Sequence, residues 1–159
     1  MSIIVNRRDL DFVMYEALDL NTILESEHYA DYDRESLDAM LDLCQSLAED
    51  QFLPFAAKLD ANEPKFVDGK VETIPEVKEA INAYREAGIC PSAYDAAIGG
   101  MKLPWMLDQA LNGMFVCANN PVHTYLFLTQ GVANMLNACG SDELKAKYLP
   151  KLVEGEWFG

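Results

Sequence analysis

Histidine is the side chain in this sequence with the widest chemical use, and its two copies are too far apart in the chain to form a local motif. His28 lies in the acidic segment ESEHYADYDRE, and His123 lies near the start of a strongly apolar stretch. Neither has a second ligand three or four positions away, the spacing that puts two metal ligands on one helix face. We predict no metal site, a solvated His28, and a His123 that is a hydrogen-bonded imidazole in the core or a cleft. A role for His123 as a ligand or base is the alternative.

The cysteines and serines show no spacing typical of a nucleophile or a redox pair. The sequence holds no CxxC, GxSxG, GxGxxG or P-loop motif. The four cysteines have apolar neighbours, so we predict small buried hydrophobic residues in a reducing compartment: Cys44, Cys90, Cys117 and Cys139. The amino terminus does not follow the pattern of a signal peptide, and we predict a cytoplasmic location. From its own residues the chain offers no catalytic group.

The chain has 159 residues, with 26 acidic and 12 basic side chains and a net charge of −14. This length predicts one domain, and the 50% hydrophobic content is enough to form a core. The acidic excess disfavours nucleic acid and anionic membranes as partners, because both bind clustered lysine and arginine.

Charge is nearly absent from residues 103–140, where Asp108 is the one charged side chain. Such a stretch has to be covered by protein or has to cross a membrane. Asn119, Asn120 and Pro121 interrupt it, so neither half reaches the roughly 20 apolar residues of a membrane helix. We predict no membrane span and a largely covered pair of helices.

Apolar residues recur at helical spacing through most of the chain. A longer stripe covers residues 33–60, where Pro54 predicts a kink. Thr73 and Glu76 are spaced as a capping box for the next helix, and Gly88 suits a left-handed helix end. Residues 60–73 lie between the stripe that ends at residue 60 and the helix that starts at Thr73. They predict a polar turn, and no strand is expected. The first stripe consists of Leu10, Val13, Met14, Ala17 and Leu18.

The second half of the chain predicts an ordered loop and three helices. Residues 89–103 have no periodicity and hold several glycines and prolines. Pro104 fits a first helical position, Asn120-Pro121 restarts a helix that Gly140 ends, and Ser141 caps the last one. The fold class is therefore all-α, a bundle of about six helices. The aromatic and methionine side chains of these helices favour core packing, with a surface for a flat cofactor or an acyl chain as the alternative.

The C-terminal residues carry a more specific pattern. The string GSDELKAKYLPKLVEGEWFG, residues 140–159, resembles the segment that closes the N-terminal helical domain of FAD-dependent acyl-CoA dehydrogenases. Ala87-Gly88-Ile89, Tyr94 and Gly99-Gly100-Met101 are similar to the helix end and glycine loop of that family. The opening residues 8–20 and the tetrad 128–131 are similar to its long branch, which includes methylthiopropanoyl-CoA dehydrogenases. The matching C-terminal positions are Gly140, Glu143, Leu144, Lys145, Tyr148, Leu149, Pro150, Leu152, Gly155, Glu156 and Trp157.

The resemblance implies a domain arrangement and a parent activity. Residues 1–32 would be an N-terminal extension with one short helix. Residues 33–159 would be the helical domain, with the chain ending before a β-rich middle domain. Enzymes of this family oxidise the α,β bond of an acyl-CoA thioester: a carboxylate removes the α-proton and flavin N5 accepts the β-hydride. The middle domain holds much of the FAD, and a C-terminal helical domain supplies the base in many members. We therefore expect the parent to be an oxidoreductase that uses FAD. We expect this chain alone to be inactive and to have no FAD bound.

By position, the resemblance carries Phe127, Gln130 and Gly131 to the wall of the acyl pocket. The implied partners are the acyl-CoA substrate and the missing middle and C-terminal domains. Without those domains we expect the apolar face around Phe127 to drive self-association, since large apolar patches seldom stay free. The alternative function is a free-standing helical protein-interaction module with no catalytic activity.

Overall fold

The computed structural model describes residues 2–92 and 94–158, and most of them are helical. The predicted all-α bundle of about six helices is confirmed, with one small hairpin as a correction. In chain order the elements are α1 (Arg7–Asp11), α2 (Leu20–Leu24), α3 (Arg34–Leu47), α4 (Ala56–Asp60), β1 (Lys65–Val67), β2 (Lys70–Glu72), α5 (Pro75–Glu86), α6 (Trp105–Cys139) and α7 (Asp142–Val153). The domain boundary at residue 33 stays a prediction.

A π-helical segment, Phe12–Ala17, follows α1 and changes which side chains face the core. The amide of Leu18 donates to the carbonyl of Val13, five residues earlier, over 3.0 Å. Because a π turn is wider than an α turn, the predicted stripe rotates, and both of these side chains are exposed rather than buried. Met14 is buried as predicted, together with Tyr15.

The long stripe over residues 33–60 forms two α-helices with an irregular stretch between them. Asp33 caps α3: its side chain accepts from the amide of Ser36 over 2.8 Å, and the Ser36 hydroxyl accepts from the Asp33 amide over 3.0 Å. A π segment, Ala48–Phe52, and a 3₁₀ turn, Leu53–Phe55, then lead into α4. Pro54 lies in this stretch and explains it, since its nitrogen has no proton for a helical hydrogen bond.

A two-stranded antiparallel hairpin occupies part of the segment that was predicted as turn alone. Strand β1 pairs with β2, and Phe66 lies opposite Val71. Asp68 and Gly69 connect the strands with φ angles of 49° and 80°, the left-handed conformation that tight hairpin turns require. The prediction of no strand was wrong here because each strand has three residues and both are exposed. Three residues are fewer than the roughly four to eight over which alternation of apolar and polar residues identifies a strand.

The start of α5 differs from the prediction, and its end agrees with it. Ile74 is the N-cap residue, without a side-chain cap, and Pro75 follows at the first helical position. The predicted capping box was therefore wrong, because the Glu76 carboxylate forms an ion pair with Lys58 of α4 instead. Gly88 has φ of 73° after the end of α5, as predicted.

Helix α6 consists of two segments, residues 105–118 and 120–139, joined by a non-helical Asn119 with φ of −161°. Pro104 precedes the helix as its N-cap residue, one position earlier than predicted, and the restart after Asn119 is confirmed. Ser141 caps α7 by accepting from the amide of Leu144, also as predicted. The loop before α6 is ordered: the amides of Met101, Lys102 and Leu103 donate to the carbonyls of Pro91, Tyr94 and Ser92 over 2.9 to 3.0 Å.

The main core lies where α3, α5 and the first segment of α6 meet. Its largest fully buried side chains include Phe52, Phe115, Leu37, Leu41, Leu107, Leu111 and Met114. Cys44 is buried and Cys90 is half-buried, but Cys117 and Cys139 are exposed, so the prediction of four buried cysteines was wrong for this pair. Both exposed thiols lie on α6, within the stretch 103–140 that is predicted to be largely covered. Within the described residues no helix is long and apolar enough to span a membrane.

Candidate functional site at the outer face of helix α6

The three residues predicted for an acyl-pocket wall lie together on the second segment of α6. Phe127 is 54% exposed, Gly131 is exposed and Gln130 is half-buried. Spacings of three and four residues put them on adjacent helical turns. The structure therefore gathers these positions on one strip of the helix, here called the wall strip. Their role in binding stays a prediction.

The wall strip borders a broad apolar face. Leu128 and Met135 are 52% and 63% exposed, and Tyr125 meets Phe158 edge to face with ring centroids 6.3 Å apart. One groove of about 570 Å³ lies between α4, α5 and α6, and another of about 410 Å³ lies between α6 and α7. The exposed apolar side chains and the two grooves together form what is called the apolar face of α6.

Behind the wall strip, Phe127 rests on a column of rings that continues into the core. Its centroid lies 6.2 Å from that of His123, with a 31° angle between the planes. The His123 ring is nearly parallel to Phe115, at 6.3 Å and 7°. Phe115 in turn packs against Phe52 and Tyr84 at 4.9 and 4.8 Å. The buried inner rings thus support an outer ring that is half open to solvent.

Asp108, in the first segment of α6, is a fully buried carboxylate. Its Oδ1 accepts from the Ser92 hydroxyl, and its Oδ2 accepts from side-chain amides of Gln109 at 3.2 Å, Asn112 at 3.0 Å and Gln130 at 3.4 Å. The ion pairs among residues 2–92 and 94–158 do not include Asp108. Neutral donors therefore compensate the cost of burying this group.

His123 is 1% exposed, and its Nε2 lies 2.9 Å from Asn112 Oδ1. Burial lowers the pKa of the imidazole from 6.5 to about 4, so the ring is neutral near pH 7. The predicted hydrogen-bonded core imidazole is confirmed, and so is the exposed His28. No group of three or more metal-ligating side chains occurs in the described part of the chain. Hydrogen bonding and apolar contact are thus what this site offers.

Comparison with known proteins identifies the family of this chain. Residues 34–156 match the family model of the acyl-CoA dehydrogenase N-terminal domain. The chain belongs to this family. The resemblance seen in the sequence is thereby confirmed.

Three relatives of this acyl-CoA dehydrogenase domain are much longer than the chain itself. A butyryl-CoA dehydrogenase of Syntrophomonas wolfei is 34% identical over 158 residues, which are 96% of this chain and 25% of the relative. A broad-specificity linear acyl-CoA dehydrogenase of Mycobacterium tuberculosis is 32% identical over 155 residues, with the same two shares. A 3-methylmercaptopropionyl-CoA dehydrogenase of Ruegeria pomeroyi is 24% identical over 152 residues, 96% of this chain and 26% of the relative. The chain spans about a quarter of the length of these relatives.

The buried polar cluster of this acyl-CoA dehydrogenase domain was not predicted as a site, although the sequence held a signal. Asp108 is the single charged side chain within residues 103–140, and Gln109 and Asn112 follow it closely. A lone acid in an uncharged helix has to be hydrogen-bonded or paired if the helix is buried. Its other partners, Ser92 and Gln130, are 16 and 22 residues away in the chain. Helical periodicity cannot reveal partners at such separations.

The α6 face of this acyl-CoA dehydrogenase domain combines apolar side chains with an absence of positive charge on the helix. Its apolar and aromatic side chains suit an acyl chain or the face of a flat ring. Helix α6 contains no lysine or arginine, so it offers no cationic side chain to the diphosphate of FAD or of coenzyme A. The face therefore offers apolar contact, and α6 offers no charge partner for a diphosphate group.

Proposed function

We propose that this chain is the N-terminal domain of an FAD-dependent acyl-CoA dehydrogenase, packs against the flavin domain, and forms part of the acyl pocket. The observation that carries the proposal is the wall strip itself. Phe127, Gln130 and Gly131 are uncharged and accessible on a helix whose inner face is packed into the core. The relatives named as dehydrogenases of butyryl-CoA and of linear acyl-CoA support an acyl thioester as the substrate class.

Each residue of the wall strip has a distinct part in this proposal. Phe127 offers apolar surface to the acyl chain and excludes water, which favours proton and hydride transfer at the neighbouring carbons. Gly131 leaves room, since a Cβ added there would meet nothing within 4 Å in this domain. The half-buried Gln130 forms the inner edge of the strip, with its side-chain amide directed at Asp108.

The reacting groups of the parent enzyme would lie outside this chain. Asp108, Tyr94 and His123 are titratable side chains that contact the strip, and all three are buried and already hydrogen-bonded. None of them reaches the surface where a substrate would lie. We therefore propose that the base and most FAD contacts come from the middle and C-terminal domains. The chain alone is then expected to be inactive and colourless, and the predicted cytoplasmic location remains to be tested.

The decisive experiment starts with the natural gene. We expect its reading frame to continue past Gly159 into a β-rich flavin domain with a TEP-like motif. The complete protein is then expected to be yellow and to reduce an artificial electron acceptor when acyl-CoA is added. Phe127→Ala is expected to change the KM for acyl-CoA. Phe66→Ala removes a similarly exposed ring from the hairpin, 77% exposed, and should leave the KM unchanged.

A free-standing interaction module is the second candidate, and the apolar face of α6 favours it. A reading frame that stops at Gly159, with a protein that remains colourless in the presence of FAD, would establish this alternative. A chain that binds FAD tightly by itself would contradict the interaction module and the proposal that most FAD contacts come from other domains. Absorbance of the purified chain in the flavin region distinguishes these results.

A further inference from the structure

One buried carboxylate joins three parts of the chain behind the wall strip. Asp108 lies on the first segment of α6, Gln130 on the second, and Ser92 in the preceding loop. The Ser92 hydroxyl and the Gln130 side-chain amide both donate to the Asp108 carboxylate. A single group is thus placed to control both halves of the helix that carries the strip.

The side-chain amide of Asn112 has one orientation that satisfies its neighbours. Its Nδ2 lies 2.9 Å from the backbone carbonyl oxygen of Asp108 and 3.0 Å from Oδ2 of the same residue. Both of these oxygens accept hydrogen bonds, so the NH₂ group has to face them. The amide oxygen, Oδ1, therefore faces His123.

This orientation selects one tautomer of the imidazole. Asn112 Oδ1 can only accept, and it lies 2.9 Å from His123 Nε2, so Nε2 carries the proton. A neutral imidazole has a single N–H group, which leaves Nδ1 unprotonated. Through Asn112, the Asp108 carboxylate sets the tautomer and holds the plane of the ring.

That ring is the surface on which Phe127 rests, 6.2 Å between centroids. The second connection to the wall strip is direct. The Gln130 side chain donates to Asp108 over 3.4 Å, while the Tyr94 hydroxyl donates to the Gln130 carbonyl over 3.2 Å. Two arms thus start at one carboxylate: the first runs through hydrogen bonds to His123 and a ring contact to Phe127, and the second is a hydrogen bond from Gln130.

We propose that Asp108 is a positioning residue for the acyl-pocket wall. One arm fixes Phe127 through Asn112 and His123, and the other arm fixes Gln130. The consequence for substrate selection rests on the proposed function. The control of the His123 tautomer does not, and the two parts are tested separately.

The geometric part is tested on this chain with nitrogen-15-labelled histidine and NMR. The wild type is expected to show a protonated Nε2 and an unprotonated Nδ1 for His123 near pH 7. Asp108→Asn removes the charge from the side-chain acceptor of the Asn112 NH₂ group and leaves the backbone carbonyl of residue 108 as its other acceptor, so the second tautomer should become populated beside the first. Asp142→Asn makes the same change at an exposed position of α7 and should resemble the wild type. A single Nε2 tautomer in Asp108→Asn would overturn the proposal.

An exchange of donor and acceptor tests the route. In the double variant Asp108→Asn with Asn112→Asp, the amide at position 108 donates to the carboxylate at position 112. That carboxylate accepts from His123 Nε2 in place of the wild-type amide oxygen, so the original tautomer should return. Failure of this rescue contradicts the route through Asn112. If Asp108→Asn does not fold, Asn112→Ala cuts the first arm alone while Ser92 and Gln130 still donate to the carboxylate. In that variant both tautomers of His123 should also become populated, and an unchanged NMR spectrum would count against the proposal.

The functional part is tested in the complete protein by the ratio of KM values for long-chain and short-chain acyl-CoA. Phe127→Ala tests whether Phe127 lines the acyl pocket, and an unchanged ratio of KM values would refute that role. Where Phe127→Ala changes the ratio, Asp108→Asn is expected to change it in the same direction by about 3- to 10-fold, as for one lost hydrogen bond, with kcat less affected. A ratio that responds to Phe127→Ala and not to Asp108→Asn overturns the positioning role alone.

Discussion

The side-chain amide of Asn119 donates to the backbone carbonyl of Phe52 over 3.0 Å, and this bond joins the two places where helices of the bundle are interrupted. Asn119 is the non-helical residue between the segments of α6, and Phe52 ends the π segment after α3. Pro121 and Pro54 each follow by two residues. A helix break leaves backbone groups without partners, and here a side chain from one break satisfies a carbonyl at the other.

We expect Asn119→Asp to destabilise the domain by about 1–3 kcal/mol, because it replaces a buried donor with an oxygen that faces the Phe52 carbonyl. The neighbouring Asn120 is exposed, so Asn120→Asp is the matched control and should cost less than about 0.5 kcal/mol. Urea unfolding followed by circular dichroism measures both. Equal stabilities of the two variants would show that the Asn119 bond does not hold the breaks together.

The pKa of His123 predicts a specific loss of stability in acid. The folded pKa is about 4 and the ordinary value is 6.5, so the unfolded chain binds the proton more readily. The contribution of the neutral ring is complete above about pH 6.5 and is lost as the pH falls towards 4, by at most roughly 3 kcal/mol.

His123→Gln removes this titration, so its unfolding free energy should fall less steeply between those pH values than that of the wild type. His28→Gln alters an exposed histidine and should retain the wild-type slope. The measurement is a series of urea unfolding curves over pH. Parallel slopes for His123→Gln and the wild type would contradict the buried neutral ring.

Local chemistry predicted much of this fold, and distant pairing explains what it missed. The Ser141 cap and the helix end at Gly88 depend on neighbouring residues, and both were predicted. The exposed side of the N-terminal stripe was missed because one π turn shifts the register, a feature without a sequence signal of its own. The wall strip followed from the family resemblance and not from periodicity. The Asp108 cluster depends on Gln130, which only the fold brings near.

Replacing glycine with alanine is expected to have opposite effects on stability at Gly100 and at Gly113. A Cβ at Gly100 would lie 1.8 Å from the Tyr94 carbonyl oxygen, a backbone atom, so Gly100→Ala has to displace the loop. We expect a loss of about 1–3 kcal/mol, with weakened packing of Tyr94 against Gln130. Gly113 is a helical glycine with open space around it, so Gly113→Ala should add about 0.5–1 kcal/mol. Thermal unfolding compares them, and equal shifts of Tm would contradict the close approach of Gly100 to the Tyr94 backbone.

The four cysteines should react in two groups. Cys117 and Cys139 are exposed, whereas burial raises the pKa of Cys44 to about 12 and that of Cys90 to about 11. Since the thiolate is the nucleophile, two thiols should react quickly with a disulfide reagent in the native protein and two only after unfolding. The variant Cys117→Ser with Cys139→Ser should lose the fast phase. Its persistence would show that Cys90 is more accessible than its position indicates.

The apolar face of α6 predicts self-association of the chain in solution. Phe127, Leu128 and Met135 are each more than half exposed on this face, and water disfavours such a surface. We expect sedimentation to show a mass that rises with concentration, and an apolar dye to fluoresce on binding. Leu128→Lys with Met135→Lys should suppress both signals without unfolding the domain, because neither side chain is buried. Phe66→Lys with Val71→Lys charges the exposed apolar pair of the hairpin and serves as the control. If the hairpin variant suppresses association and the α6 variant does not, the hairpin is the associating surface and the α6 face is not.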